Sequence, residues 1–186
     1  MGIDVGRRRA VFLDRDGVIN RAVVRDGKPH PPTDADHVDV LPGVAAALGR
    51  LKAAGYLLIV VTNQPDVARG TQSREAVEAI HARLASELPI DDFRACYHDD
   101  RDACACRKPK PGLIIDAALA HGVDLRESVM VGDRWRDIEA GRRAGCQTVF
   151  VNHEYEERKP EKPDAVVGAL EEAATWILSD PGGRPS

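Results

Sequence analysis

The chain lacks any apolar run approaching the roughly 20 residues that a bilayer-crossing helix needs, so no membrane-spanning helix is expected. Its opening, MGIDVGRRRAVFLD, has no cleavable leader pattern, because the basic residues run straight into an apolar strand. The cytoplasm is therefore the expected compartment. A strong charge of either sign is also missing. With 26 basic and 30 acidic side chains the formal net charge is -4, which gives no electrostatic pull toward nucleic acid or an anionic membrane. No internal repeat, coiled-coil heptad or broad exposed apolar stripe is visible, so a monomer is expected. Cysteine is scarce, at four residues, yet three crowd between Cys96 and Cys106. In a reducing compartment that crowding suggests a metal site before a disulfide framework.

What is present reads as one globular domain over 1–186, with its core over about 9–178. The tail SDPGGRPS, 179–186, offers nothing to a core and is expected to be disordered. Apolar periodicity with cap and turn signals predicts strands over 9–14, 56–62, 93–98, 128–132 and 147–151. Helices are predicted over 43–54, 73–88, 111–121, 135–144 and near 166–178. Strict alternation of the two requires crossovers, hence an α/β fold: a doubly wound, mostly parallel sheet with helices on both faces. YLLIVVTN and SVMVGD are near-continuous apolar runs, as suits strands covered on both sides. Two loops interrupt the pattern, 20–42 and 96–112, and neither is long enough for a second domain or a separate cap.

In open α/β sheets ligands bind beyond the carboxyl ends of the strands. Those ends here carry Asp14 and Asp16, then Thr62, Asn63 and Gln64, then Gly132 and Asp133. Period two turns Asp14 and Asp16 to one side of the sheet. Two carboxylates ~5 Å apart repel by about 3 kcal/mol at an effective dielectric near 20, so holding both ionised needs a cation or a shared proton. All-oxygen, acid-rich surroundings suit magnesium. Alone, D-x-D-G is equally a turn, Lys108 a solvated loop lysine, and Asp133 a helix cap.

The set D-R-D-G-V-I-N (14–20), V-T-N-Q (61–64), C-R-K-P-x-P-G (106–112) and V-G-D-R-x-x-D (131–137) resembles the haloacid dehalogenase superfamily. Within it, the chain is similar to the capless family that holds the histidinol-phosphate phosphatases and the D-glycero-D-manno-heptose 1,7-bisphosphate 7-phosphatases, over about residues 9–178. That resemblance implies a magnesium-dependent phosphomonoesterase acting on a phosphorylated sugar, most simply the heptose bisphosphate, with histidinol phosphate as the alternative. It makes Asp14 the nucleophile and Asp16 the acid and base. Thr62 would bond a phosphoryl oxygen, and Lys108, the lysine directly after the motif's arginine, would neutralise charge. Magnesium would lie between Asp14, the backbone carbonyl of Asp16 and Asp133, with Asp137 supporting a water or Arg134. Asn20, Asn63, Gln64, Arg69 and Arg107 are the expected substrate contacts.

Cys96, His98, Cys104 and Cys106 supply three thiols and an imidazole, right for a closed tetrahedral zinc site, with a disulfide or free thiols as the alternative. The C-x-H…C-x-C form is the resembled family's own, implying structural zinc that holds Arg107 and Lys108 at the phosphate. Where that family commonly reads N-Q-S-G-x-A-R-G, this chain has N-Q-P-D-V-A-R-G. Pro65 and Asp66 thus alter a loop beside the substrate. Cys146 reads as a small core residue; Trp135 and Trp176 read as packing on the sheet, and His30, His37, His81, His121 and His153 as surface or loop residues. Other classes remain: a phosphorylatable signalling receiver or a zinc-stabilised binding module. A receiver keeps its acid pair at the first strand but takes the phosphoryl group on a middle one, whereas here D-x-D follows the first.

Overall fold

The protein is described by a computed structural model over residues 8–179, so all of the tail except Ser179 lies outside the described residues. In chain order the elements are β1 (Ala10–Leu13), β2 (Val23–Arg25), β3 (Lys28–His30), α1 (Val44–Ala53), β4 (Leu57–Asn63), α2 (Arg74–Glu87) and β5 (Asp92–Cys96). They continue with α3 (Gly112–His121), β6 (Val129–Gly132), α4 (Trp135–Ala144), β7 (Gln147–Val151), β8 (Ala165–Val167) and α5 (Leu170–Ser179).

Six strands form one sheet in the order β5-β4-β1-β6-β7-β8, with every pairing parallel. Side-chain alternation divides each central strand between two cores. Val11, Leu13, Leu58, Val60, Val129 and Val131 join Leu48 and Leu51 of α1, Ile80 and Leu84 of α2, and Ile177 of α5. Ala10, Phe12, Ile59, Val61 and Met130 face the other way, against Leu113, Ile114 and Ala117 of α3 and Ala140 of α4. Each large aliphatic side chain buried this way contributes about 1.5–3 kcal/mol. Burial on both faces explains why the strand sequences are apolar throughout rather than alternating. The chain leaves β1 to build outward through β4 and β5, then returns to β6 on the other side. β1 and β6 therefore flank the switch point where a crevice opens.

Four expectations are corrected. The region read as one helix near 166–178 begins with β8, a sixth strand, because the triplet AVV pairs with β7 before the chain turns into α5. The loop 20–42 contains a hairpin, β2–β3, whose Val23 and Val24 are exposed. The histidines are not all peripheral. His81 is buried on α2, His153 bonds the Gly17 carbonyl at 2.6 Å, and His121 pairs with Asp92 at 2.7 Å. Cys146 is a buried core residue and Trp176 packs against the α1–α5 core. Trp135 instead lies beneath the guanidinium of Arg158, 4.6 Å from the ring centre.

Candidate active site

The turn after β1 is built by hydrogen bonds to two of its own carbonyls. Arg15 C=O accepts from the N–H groups of Ile19 at 2.9 Å and Asn20 at 3.2 Å, and Gly17 N–H donates to Asn20 C=O at 2.7 Å. Asp14 N–H donates to Val131 C=O at 3.0 Å, extending the β1–β6 ladder by one residue and fixing the Asp14 side chain at the switch point. Gly17 has φ +90°, and a Cβ there would stand 1.9 Å from Asp133 Oδ2. The glycine is needed twice, for its left-handed backbone and for this close approach.

Lys108 is buried with its ammonium fully used. Nζ donates to Asp14 Oδ1 at 2.8 Å and to Val61 C=O at 2.7 Å, and pairs with Asp137 Oδ1 at 2.6 Å. Burial by itself would depress this lysine, but the Asp137 and Asp14 charges outweigh it and hold its pKa above the ordinary value. Asn63 places the lysine: its amide donates to Lys108 C=O and accepts from Lys108 N–H, both at 3.0 Å. Asp137 gives its second oxygen to the Arg134 N–H at 3.0 Å, so it supports the backbone of Arg134 and the ammonium of Lys108. Gly132 is required here, since a Cβ would lie 2.1 Å from Asp137 Cβ.

Oxygens of Asp14, Asp133 and Asp137 lie within 4.8 Å of one another, and all three residues are buried. Like charges at that spacing cost about 3 kcal/mol per pair at an effective dielectric near 20. One lysine cannot compensate three. Burial, with Asp137 and Asp16 adding repulsion against the opposing pull of Lys108, pushes Asp14 up to about 6. Burial and the charges of Asp14 and Asp137 push Asp133 well above the usual carboxylate range. Both Asp133 oxygens are buried and, among the described residues, lack a donor in hydrogen-bonding geometry, although the Tyr155 hydroxyl comes close enough to pull the Asp133 pKa down. A missing positive charge and two orphaned oxygens are what a divalent cation would supply and satisfy. The residues present therefore fit magnesium.

The Asp16 carboxylate stands outside this cluster. It accepts from Arg15 Nε at 3.1 Å and Nη2 at 3.0 Å, from Asn20 Nδ2 at 3.0 Å and from Gln64 Nε2 at 3.0 Å. Burial raises its pKa, but the Arg15 charge and these donors more than reverse that and leave it below the ordinary value. Gln64 also donates to Thr62 Oγ1 at 2.9 Å, linking the hydroxyl to the same network.

A cleft of about 230 Å³ opens on Asp14, Asp16, Thr62, Asn63, Lys108 and Asp137. Arg69, Arg107, Arg134 and Arg136 line it too, as do Lys28 and His30 of the hairpin and both residues of the altered loop, Pro65 and Asp66. Asn20 and Gln64 are buried beneath it, tied to Asp16. Arg107 donates to Asp100 Oδ1 at 2.8 Å, and Arg136 reaches the same oxygen at 3.3 Å. Arg69 is held by Asp99 at 2.7 Å and Asp66 at 3.5 Å. Asp133 borders a smaller adjoining pocket with His153 and Tyr155.

Cys96, His98, Cys104 and Cys106 converge, with ligand atoms within 4.8 Å of one another. Cys106 Sγ lies 3.1 Å from Cys96 Sγ and 3.3 Å from His98 Nδ1, and no disulfide joins them. Sequence reasoning missed Arg15, His81, Arg136 and Tyr155. Position could have found His81, because it follows Ile80 and precedes Leu84 by three on the buried stripe of α2. Tyr155 sits in an irregular segment with no periodic signal.

A HAD-hydrolase-like family model matches residues 105–173. The D-glycero-beta-D-manno-heptose-1,7-bisphosphate 7-phosphatase of Rhodopseudomonas palustris is 42% identical, covering 75% of this chain and 81% of the relative. A D-glycero-alpha-D-manno-heptose-1,7-bisphosphate 7-phosphatase of Mycobacterium bovis is 40% identical, covering 72% of each chain. Among solved structures, the D,D-heptose 1,7-bisphosphate phosphatase of B. bronchiseptica, complexed with magnesium and phosphate, superposes with a TM-score of 0.78 at 33% identity. It covers 91% of this chain and 98% of that one. The parallel sheet with its switch-point carboxylates and the identity to these relatives agree: the chain belongs to the heptose-1,7-bisphosphate 7-phosphatase family of haloacid dehalogenase-like hydrolases.

Proposed function

We propose that the chain is a single-domain, magnesium-dependent phosphomonoesterase that removes the C7 phosphate of D-glycero-D-manno-heptose 1,7-bisphosphate through a phosphoaspartate. The orphaned Asp133 carboxylate, set against Asp14 beside a lysine already shared with Asp137, carries this reading. Asp14 has one oxygen held by Lys108, leaving the other to attack phosphorus as the ester P–O bond breaks. Asp16 gives a proton to the departing alcohol oxygen. It then takes one from the water that attacks the phosphoaspartate, releasing inorganic phosphate and restoring Asp14.

The resting Asp16 is an ionised carboxylate held by four N–H donors. An arriving phosphate adds about 4 kcal/mol of repulsion per unit charge at 4 Å and an effective dielectric near 20, which pushes Asp16 upward and favours the proton that the first step needs. Thr62 and Lys108 meet the oxygens on which charge accumulates. Magnesium, when bound by Asp14, Asp133 and the Asp16 carbonyl, would offset the phosphate's negative charge. Arg107 and Arg69 face the substrate's sugar and second phosphate, with Asn20, Asn63 and Gln64 setting the positions of Asp16 and Lys108. Zinc on Cys96, His98, Cys104 and Cys106 would fold a segment that has too few apolar residues to order by burial, holding Arg107 at the cleft.

Phosphate release from the heptose bisphosphate, histidinol phosphate and simple sugar monophosphates tests this, with Asp14→Asn in parallel. The bisphosphate should give the highest kcat/KM and Asp14→Asn should abolish turnover. Faster release from simple sugar monophosphates than from both the bisphosphate and histidinol phosphate would overturn the named substrate, as would preference for histidinol phosphate.

A further inference from the structure

Arg15 separates the two aspartates of the first motif and is fully buried, with three of its N–H groups accounted for by side chains. Nε and Nη2 grip both oxygens of Asp16, at 3.1 and 3.0 Å. Nη1 lies 3.1 Å from His81 Nε2, on a helix 66 residues further along the chain. A guanidinium only donates, so His81 Nε2 must accept and the ring must be neutral, with its proton on Nδ1. Burial first, and the Arg15 charge second, push His81 down to about 4, consistent with that state. Phe93 of β5 stacks on the imidazole with ring centres 4.8 Å apart and planes 23° from parallel, fixing its orientation.

We infer that His81 is a positioning residue for the proposed proton transfer: through Arg15 it sets where the Asp16 carboxylate stands in the cleft. Its neutrality matters. A carboxylate at position 81 would satisfy Nη1 but compete with Asp16 for the guanidinium. An apolar side chain would leave a buried N–H unpaired, a penalty that reorients Arg15 and drags Asp16 with it. An uncharged acceptor anchors the far side of Arg15 and leaves its charge for Asp16. The chain of contacts Phe93–His81–Arg15–Asp16 thus ties the proton carrier to β5 and α2.

This role rests on the phosphatase reading, and leaving-group chemistry separates the two. An alkyl phosphate needs a proton delivered to its departing oxygen, whereas p-nitrophenyl phosphate expels a stabilised phenolate that does not. kcat/KM stops at the first irreversible step and so excludes the later water attack. For His81→Leu, kcat/KM on the alkyl ester should fall at least ~10-fold, part of the ~10²–10⁴ that general acid catalysis supplies, while that on p-nitrophenyl phosphate stays within about threefold. His81→Gln, whose amide oxygen reaches Nη1, should recover most of the alkyl-ester rate. His81→Asn, one methylene shorter, should not, and it serves if the leucine variant fails to fold. Equal losses on both esters, or no loss on either, overturn the positioning role while Asp14→Asn inactivity upholds the phosphatase. Turnover that survives Asp14→Asn overturns both.

Discussion

Magnesium binding should release protons, and its affinity should fall steeply below pH 7. Without the ion, Asp14 titrates at about 6 and Asp133 higher than an ordinary carboxylate, both chiefly because they are buried. Each must be ionised to hold a cation. For Asp14 alone the ionised fraction drops about tenfold between pH 7 and pH 5, and Asp133 adds to the loss in the same direction. Folding stability carries the opposite sign. A carboxylate raised from 3.8 to about 6 binds its proton more tightly in the folded state, so the metal-free protein loses stability as pH rises through that window. That loss is of the order of 3 kcal/mol for Asp14. Magnesium at 100 times its Kd should return about 2.7 kcal/mol at neutral pH. Calorimetric titration at pH 5, 6 and 7, in two buffers of different ionisation enthalpy, measures affinity and protons released together. An affinity that is flat across this range, or binding at pH 6 without proton release, would refute the buried acidic cluster as the magnesium site.

Gly17→Ala should abolish magnesium binding and lower stability by ~1–3 kcal/mol, because its φ is +90° and the new Cβ would fall 1.9 Å from Asp133 Oδ2; calorimetry and denaturant unfolding read the two effects. One zinc per chain should be found by elemental analysis. Its removal with a chelator, or Cys104→Ala, should lower Tm and raise KM more than it lowers kcat, since Arg107 loses the segment that carries it. Arg136 and Arg107 share one carboxylate, Asp100, which cannot neutralise both guanidiniums. Arg136→Ala should accordingly raise KM for the bisphosphate about tenfold, some 1.4 kcal/mol, and leave a monophosphate nearly unchanged, as steady-state kinetics on the two substrates will show.

Much of this molecule follows from local rules. Continuous apolar strands alternating with amphipathic helices dictate a parallel sheet, and that alone puts Asp14, Thr62 and Asp133 at strand ends on one edge. The cysteine and histidine spacing gathers its four ligands within eleven residues, from the end of β5 into the loop that follows, so their convergence needed no long-range information. Partnership across the chain was not legible. The charge on Lys108 depends on carboxylates 94 and 29 positions in either direction, and the Asp16 clamp on a histidine in α2. His81 looked peripheral because polarity suggested solvent; the buried Arg15 reverses that by requiring an acceptor inside. β8 was hidden because a three-residue strand has too little periodicity to distinguish from a helix start, and only β7's open edge selects it.

Sequence determined which groups arrive at the edge of the sheet, since that is fixed by where each apolar run stops. Tertiary structure decided their ionisation and pairing, because both depend on burial and on the few ångströms between residues that the chain brings together only by folding.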